Sequence, residues 1–222
     1  MLWLLVAGCA GTSTWTLTLT NTSSPGALAT SAGAADIALA PGVVIVHEAG
    51  WELLPEGGDA HKTPLEPLAE DGDPHPLLDA LADDPAVLWA EVMSALSEVD
   101  YEEAALGPGG VISAQVTLGR GERLSFAAMF GQSNDALIAA ADQPARAGPV
   151  ALRLVDVGTE VDQEPGAGDT QAPRQAAPDT GPDEGGRITT FEQRDGEWVW
   201  PNVADFAALE LVPDDAKGGQ VR

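Results

Sequence analysis

Cysteine is almost missing from this chain. Cys9 is the only one in 222 residues, so an intramolecular disulfide is impossible. A domain of this length buries enough apolar surface to fold without one, even in an oxidising compartment. Basic residues are scarce as well: ten Lys and Arg face 35 Asp and Glu, a formal net charge of −25. Nucleic acid requires a basic surface, so that class of partner is excluded. Direct adsorption to an anionic membrane surface is disfavoured on the same ground. The apolar run that opens the chain is too short to cross a bilayer.

Catalytic signatures are also missing. His47, His61 and His75 are dispersed, without the spacing of a metal-binding pair. His47-Glu48 opens like H-E-x-x-H, but position 51 is Trp. Gly131-Gln-Ser133-Asn has no closing glycine for a nucleophile elbow, and Gly166-Ala-Gly168 lacks the third glycine of a dinucleotide loop. A carboxylate pair of glycosidase type remains open only because 35 acids offer many pairs.

What is present points to β structure. Apolar residues make up 44% of the chain, with six Trp, and 25 Gly and 17 Pro imply many turns rather than long helices. Thr14 to Thr20, TWTLTLT, alternates strictly, placing Trp15, Leu17 and Leu19 on one face. Gly42 to His47, GVVIVH, is a strand buried on both faces near its centre. Further strands are expected at Val111–Leu118, Arg123–Phe130, Val150–Val155, Ile188–Phe191, Trp198–Trp200 and Phe206–Val212. Pro85–Leu96 carries apolar residues at helical spacing and predicts a short helix, and another begins at Pro76. Asp71-Gly-Asp73 resembles a fragment of a calcium loop, but capping of that helix is the expected role. About eight strands without βαβ alternation predict an all-β fold, an antiparallel β-sandwich with short helical insertions. Residues 14–212 form the domain and 213–222 a tail.

Residues 1–13 read as a leader. The apolar run ends in Val6-Ala7-Gly8-Cys9, which resembles a bacterial lipobox, so Cys9 is the expected lipidated N-terminus of an exported, envelope-anchored or secreted protein.

The most unusual stretch is Leu154 to Gln175, LVDVGTEVDQEPGAGDTQAPRQ, which packs five acids, three glycines and two prolines after an apolar start. Residues four apart on a straight strand are ~13 Å from each other, too far to share an ion. A bend at Gly158 would bring Asp156 and Glu160 together. Asp135, just past the strand ending at Phe130, could supply a third carboxylate from a neighbouring loop; the alternative is three ordinary loop acids, one of them capping a turn. Calcium accepts ~6–8 oxygens in irregular geometry, which suits such a set. Asp162 and Glu164 are expected in solvent, though either could reach the ion.

Three blocks together resemble the spondin domain in its bacterial form: Leu124–Asp135 (LSFAAMFGQSND), Leu154–Gln175 with its D-x-G-T-[DE] core and later Gln-Ala-Pro, and Leu68–Pro74 (LAEDGDP). The resemblance spans about Thr14 to Val212 and implies a sandwich similar to C2 domains with one calcium site on its loops. It carries the ligand roles onto Asp135, Asp156 and Glu160. The chain departs from the family pattern at Val155, where Trp is frequent, at Ala136, where an aromatic is usual, and at Glu160, which replaces Asp. Animal relatives are extracellular matrix and cell-adhesion modules. The implied function is an extracytoplasmic, non-enzymatic calcium-binding adhesion or recognition module with a cell-surface partner, held at the membrane through a lipid anchor on Cys9. The alternatives are an envelope hydrolase using a carboxylate pair and a structural envelope protein with no specific ligand.

Overall fold

In a computed structural model, residues 11–93, 105–191 and 198–214 are described. The expected lipobox and Cys9 lie outside the described residues.

Two antiparallel sheets face each other. The smaller has the order β6–β1–β12–β9, formed by β1 (Ser13–Asn21), β6 (Val111–Leu118), β9 (Gly148–Val150) and β12 (Ala207–Pro213). The larger has the order β11–β10–β8–β7–β4–β5, with β4 (Gly42–His47), β5 (Val87–Met93), β7 (Arg123–Met129), β8 (Ala136–Pro144), β10 (Arg153–Asp156) and β11 (Thr189–Thr190). A small hairpin, β2 (Leu28–Thr30) and β3 (Gly33–Ala35), stands apart. The predicted antiparallel sandwich is therefore the observed architecture.

The alternation in β1 works as the pattern requires. Leu17 and Leu19 are fully buried between the sheets, while Thr18 faces out to Ser113 on β6. In β4 every residue is buried because both faces of the larger sheet are covered. Val44 and Val46 face the sandwich core, while Val43 and Ile45 face a second apolar layer. That layer is built from the helices α1 (Glu66–Glu70) and α2 (His75–Leu81) with their flanking loops, through Leu65, Leu68, Leu77 and Leu81. Burying such aliphatic side chains stabilises by ~1.5–3 kcal/mol each, which makes β4 a continuous apolar run rather than an alternating one.

Several sequence expectations need correction. Pro85–Leu96 is not a helix: Val87–Met93 is strand β5, paired with β4 through Ile45↔Ala90 and Val46↔Trp89. Its apolar residues fit either period, and pairing satisfies the backbone edge that β4 would otherwise expose. Positions 94–96 lie outside the described residues. Val150–Val155 is not one strand. Val150 ends β9 in the smaller sheet, and Arg153 opens β10 in the larger. Val150 and Leu154 both face the common core from opposite sides, so a crossing between sheets reads as one apolar run. Trp198–Trp200 forms no strand. Trp200 instead packs its ring 4.2 Å from Phe191 and 6.5 Å from Phe130. Strand Ile188–Phe191 shortens to Thr189–Thr190. The tail begins later than Pro213: Pro213 still pairs with Trp15, and Asp214 accepts a 2.7 Å bond from Thr16.

Candidate metal centre

The site grows from the end of two neighbouring strands. β8 starts directly after Asp135, β10 ends on Asp156, and their register sets Asp156 opposite Ala136. Antiparallel pairing therefore delivers both carboxylates to one end of the larger sheet. The turn before β8 is fixed locally. The Ser133 hydroxyl donates to the Phe130 carbonyl at 2.6 Å and accepts from the Ala136 amide at 3.0 Å. The Phe130 amide donates to the Ala136 carbonyl at 2.8 Å, closing the turn. Asp135 is thus held rigidly and is 0% exposed.

Beyond Asp156 the chain bends as the sequence predicts. Gly158 adopts φ +71°, and its amide donates to Asp156 Oδ1 at 2.8 Å. A Cβ at this position would sit 2.5 Å from the Arg187 nitrogen, so both the angle and the close approach demand glycine. The approaching backbone is a return segment. Gly186 donates to the Gly158 carbonyl at 2.8 Å, Glu184 to the Thr159 carbonyl at 2.8 Å, and Val161 to the Pro182 carbonyl at 3.0 Å. This pairing carries Glu184 to the strand ends. One oxygen each from Asp135, Asp156 and Glu184 lies within 4.8 Å of the others.

Asp135 has two unequal oxygens. Oδ2 accepts from the Thr159 amide at 2.6 Å, the Glu160 amide at 3.1 Å and the Thr159 hydroxyl at 3.2 Å. Oδ1 is buried and takes no hydrogen bond from the protein. Burial pushes the Asp135 carboxyl well above the usual carboxylate range, and the neighbouring charges of Asp156 and Asp162 push the same way. Such an oxygen needs either a proton or a cation. The three carboxylates form a group that could hold a metal ion.

The sequence-predicted residues divide. Asp135 and Asp156 come together. Glu160 joins them only through its backbone amide; its side chain faces elsewhere, with Oε1 3.3 Å from Asn134 Nδ2. The physical cause is the return segment, which pairs Glu160 with Asp183 and lays Gly181 over the Glu160 carboxylate. Glu184 takes the third place. Sequence reasoning missed it because an acid in an irregular loop 24 residues beyond Glu160 carries no periodic signal. Glu164 is not a free solvated acid: it accepts the Ser31 amide at 2.6 Å and ties the site loop to the β2–β3 hairpin. Asp73 accepts the His75 amide at 3.0 Å just before α2, whose N-cap residue is Pro74 and has no side-chain cap, whereas Asp71 binds Gln175 Nε2 at 2.8 Å.

A buried polar network braces the long loop. Asn134 Nδ2 donates to Thr170 Oγ1 at 2.9 Å and to Gln163 Oε1 at 3.2 Å, and Asn134 Oδ1 accepts the Gln163 amide at 2.9 Å. Gln171, from the Gln-Ala-Pro segment, is 0% exposed and bonds the Glu164 carbonyl at 2.9 Å. Arg174 reaches the Gly168 carbonyl at 2.6 Å and Gln132 Oε1 at 3.0 Å. The loop that composition reads as solvated is thus pinned to the turn that carries Asp135.

Among the described residues, the His47–Ser125 pair is reminiscent of nucleophilic catalysis, but it is buried in the sheet. His47 Nε2 and Ser125 Oγ are 2.8 Å apart, but His47 is 0% and Ser125 1% exposed. The Ser125 hydroxyl also accepts the Asp142 amide at 3.2 Å, bracing a register shift between β7 and β8. No protein-family model and no curated protein sequence matches this chain.

Proposed function

We propose that this chain is a calcium-binding recognition or adhesion module of spondin type, acting outside the cytoplasm without catalysis. The observation that carries this reading is Asp135: its Oδ1 is a buried carboxylate oxygen without a hydrogen bond, and one of its oxygens lies within 4.8 Å of an oxygen of Asp156 and one of Glu184. Bound calcium would supply the missing partner of that oxygen and reverse the repulsion between the acids. Glu184 is exposed, so the ion would lie near the surface of the loop end, where a partner can reach it. Support for the spondin assignment comes from the three sequence blocks, and for lipid anchoring from Val6-Ala7-Gly8-Cys9. Burial of Asp135 and Asp156 weighs against a carboxylate-pair hydrolase, whose acids must flank a substrate.

The test is thermal unfolding of chelator-treated protein across a calcium titration. An ion that binds only the folded state at 100-fold its Kd adds about 2.7 kcal/mol, worth ~5–10 °C in a domain of this size. Asp156→Ala abolishes the rise. A melting temperature indifferent to calcium in the unaltered protein sinks the reading.

A further inference from the structure

The Gln163 side chain sits in an arrangement that a passive brace does not require. Its carbonyl oxygen accepts from the Thr170 hydroxyl at 2.8 Å, the Thr170 amide at 3.1 Å and Asn134 Nδ2 at 3.2 Å. The amide and the Asn134 nitrogen have the form of an oxyanion hole, which stabilises negative charge arriving on a carbonyl oxygen. The remaining donor, the hydroxyl, is a nucleophile. Given a C=O bond of ~1.23 Å, its oxygen stands roughly 3–4 Å from the amide carbon, near the approach distance of about 3–3.5 Å for reaction.

A base is at hand. Glu160 is 2% exposed, and its Oε1 lies 3.3 Å from Asn134 Nδ2. That same nitrogen donates to Thr170 Oγ1 at 2.9 Å and to Gln163 Oε1 at 3.2 Å, so one atom touches base, nucleophile and electrophile. The Thr170 hydroxyl also bonds the Glu160 carboxylate, and its single proton is thereby shared between Glu160 and Gln163. A poorly solvated carboxylate with an acceptor position unused at Oε2 is suited to take that proton. The nitrogen that has to leave is held as well: Gln163 Nε2 donates to Asp169 Oδ1 at 2.7 Å. Gly168 closes over the group, where any Cβ would collide with Gln163 Oε1.

We propose that Thr170 and Gln163 become joined by an intramolecular ester bond that the chain makes itself, with Glu160 as the general base. Thr170 Oγ1 attacks Gln163 Cδ while Glu160 takes the hydroxyl proton. The carbonyl oxygen, now negative, is held by the Thr170 amide and Asn134 Nδ2. The C–N bond then breaks, Glu160 returns the proton to the nitrogen, and ammonia leaves. One C–O bond replaces one C–N bond and nothing is oxidised or reduced. Each chain reacts once, so the step is maturation and not turnover. The product ties Gln163 to Thr170 covalently and keeps the long loop on the turn that carries Asp135. It goes beyond the calcium reading and does not depend on it.

Peptide mass spectrometry of the purified full chain, aged at neutral pH, decides it. Trypsin cuts after Arg153 and Arg174 with no site between them, so Gln163 and Thr170 share the peptide 154–174. That peptide begins with Leu154 and contains no Asn, which removes pyroglutamate and succinimide as sources of the same loss. The expected peptide is lighter than its coded mass by one ammonia, about 17 Da, and resists fragmentation between positions 163 and 170. Mild alkali opens the ester and turns the Gln163 amide into a carboxyl, about 1 Da above the coded mass. Thr170→Ser keeps the loss, whereas Thr170→Val and Glu160→Gln abolish it. A peptide of full coded mass in the unaltered chain overturns the proposal, whether or not any variant folds. A loss that persists in Thr170→Val overturns it too, because the hydroxyl is then not the nucleophile, and a loss that persists in Glu160→Gln overturns the role given to Glu160.

Discussion

The backbone amide of Thr159 donates to Asp135 Oδ2 at 2.6 Å. That bond joins the start of the long loop to the turn before β8, so the loop and the acid cluster share one anchor. It also divides the labour of Asp135: Oδ2 organises the chain, and Oδ1 is buried without a hydrogen bond from the protein.

Asp135→Asn separates these roles. The asparagine oxygen can keep the Thr159 and Glu160 amides, while its NH2 group replaces Oδ1 and ends the repulsion with Asp156. The variant is expected to melt higher than the unaltered protein in chelator, by roughly 2–4 °C per kcal/mol gained, and to show no further rise with calcium. Asp135→Ala strands the two amides and costs ~2–6 kcal/mol, each buried donor left unsatisfied costing about 1–3. Urea denaturation of both variants, with and without calcium, checks the contrast.

The metal-free protein is expected to lose stability as pH rises. Glu70 has an ordinary pKa of 4.5 and is raised to about 7 in the fold. Between those values the folded state keeps a proton that the unfolded chain has released, so unfolding is penalised less at each step upward. The favourable contribution is complete below 4.5 and gone above about 7, and the raised Asp135 acts in the same direction. Calcium has the opposite preference, because its ligands must be ionised. Melting curves from pH 4.5 to 8 should therefore fall in chelator and rise in saturating calcium. Glu70→Gln should flatten part of the fall.

Gly158→Ala tests the bend directly. The substitution forces an L residue to φ +71° and sets its Cβ 2.5 Å from the Arg187 nitrogen. Strain in the left-handed region costs ~1–2 kcal/mol before the collision is counted, and relief requires the return segment to move away with Glu184. Stability should drop by at least about 2 kcal/mol, and calcium affinity should fall further than stability alone explains. Gly185→Ala, with φ +66° but no neighbour within 4 Å, serves as the comparison and should cost only the conformational part.

Asn134→Ala should loosen the long loop without removing any of the three clustered carboxylates. It removes the bonds to Thr170 and Gln163 and leaves the Gln163 amide without its acceptor. A loss of ~2–3 kcal/mol is expected, with faster proteolytic nicking between positions 163 and 175 than in the unaltered chain.

Legibility of the fold followed how sharply each segment's pattern excluded alternatives. The strict alternation of Thr14–Thr20 allows only a half-buried strand, and the unbroken GVVIVH of Gly42–His47 fits a central strand. Ala136–Pro144 escaped notice because ALIAAADQP is poor in β-branched residues; pairing with β7 and β10 on either side makes it a strand regardless. Pro85–Leu96 failed for the reverse reason, since apolar residues at almost every position satisfy both periods. At the site, Asp135 and Asp156 were legible because each lies within a residue of a strand end. Glu184 was not, because long-range backbone bonds from Gly158 and Thr159 position it, and those bonds leave no trace in residue type. Glu160 was placed with the wrong neighbours for the same reason.

The most direct measurement is an anomalous difference map from crystals grown with calcium. The account predicts a peak bounded by Asp135 Oδ1 and the carboxylates of Asp156 and Glu184, with oxygen distances near ~2.4 Å. A map at saturating calcium with no peak between those three side chains, in a crystal where they are otherwise well ordered, would contradict it.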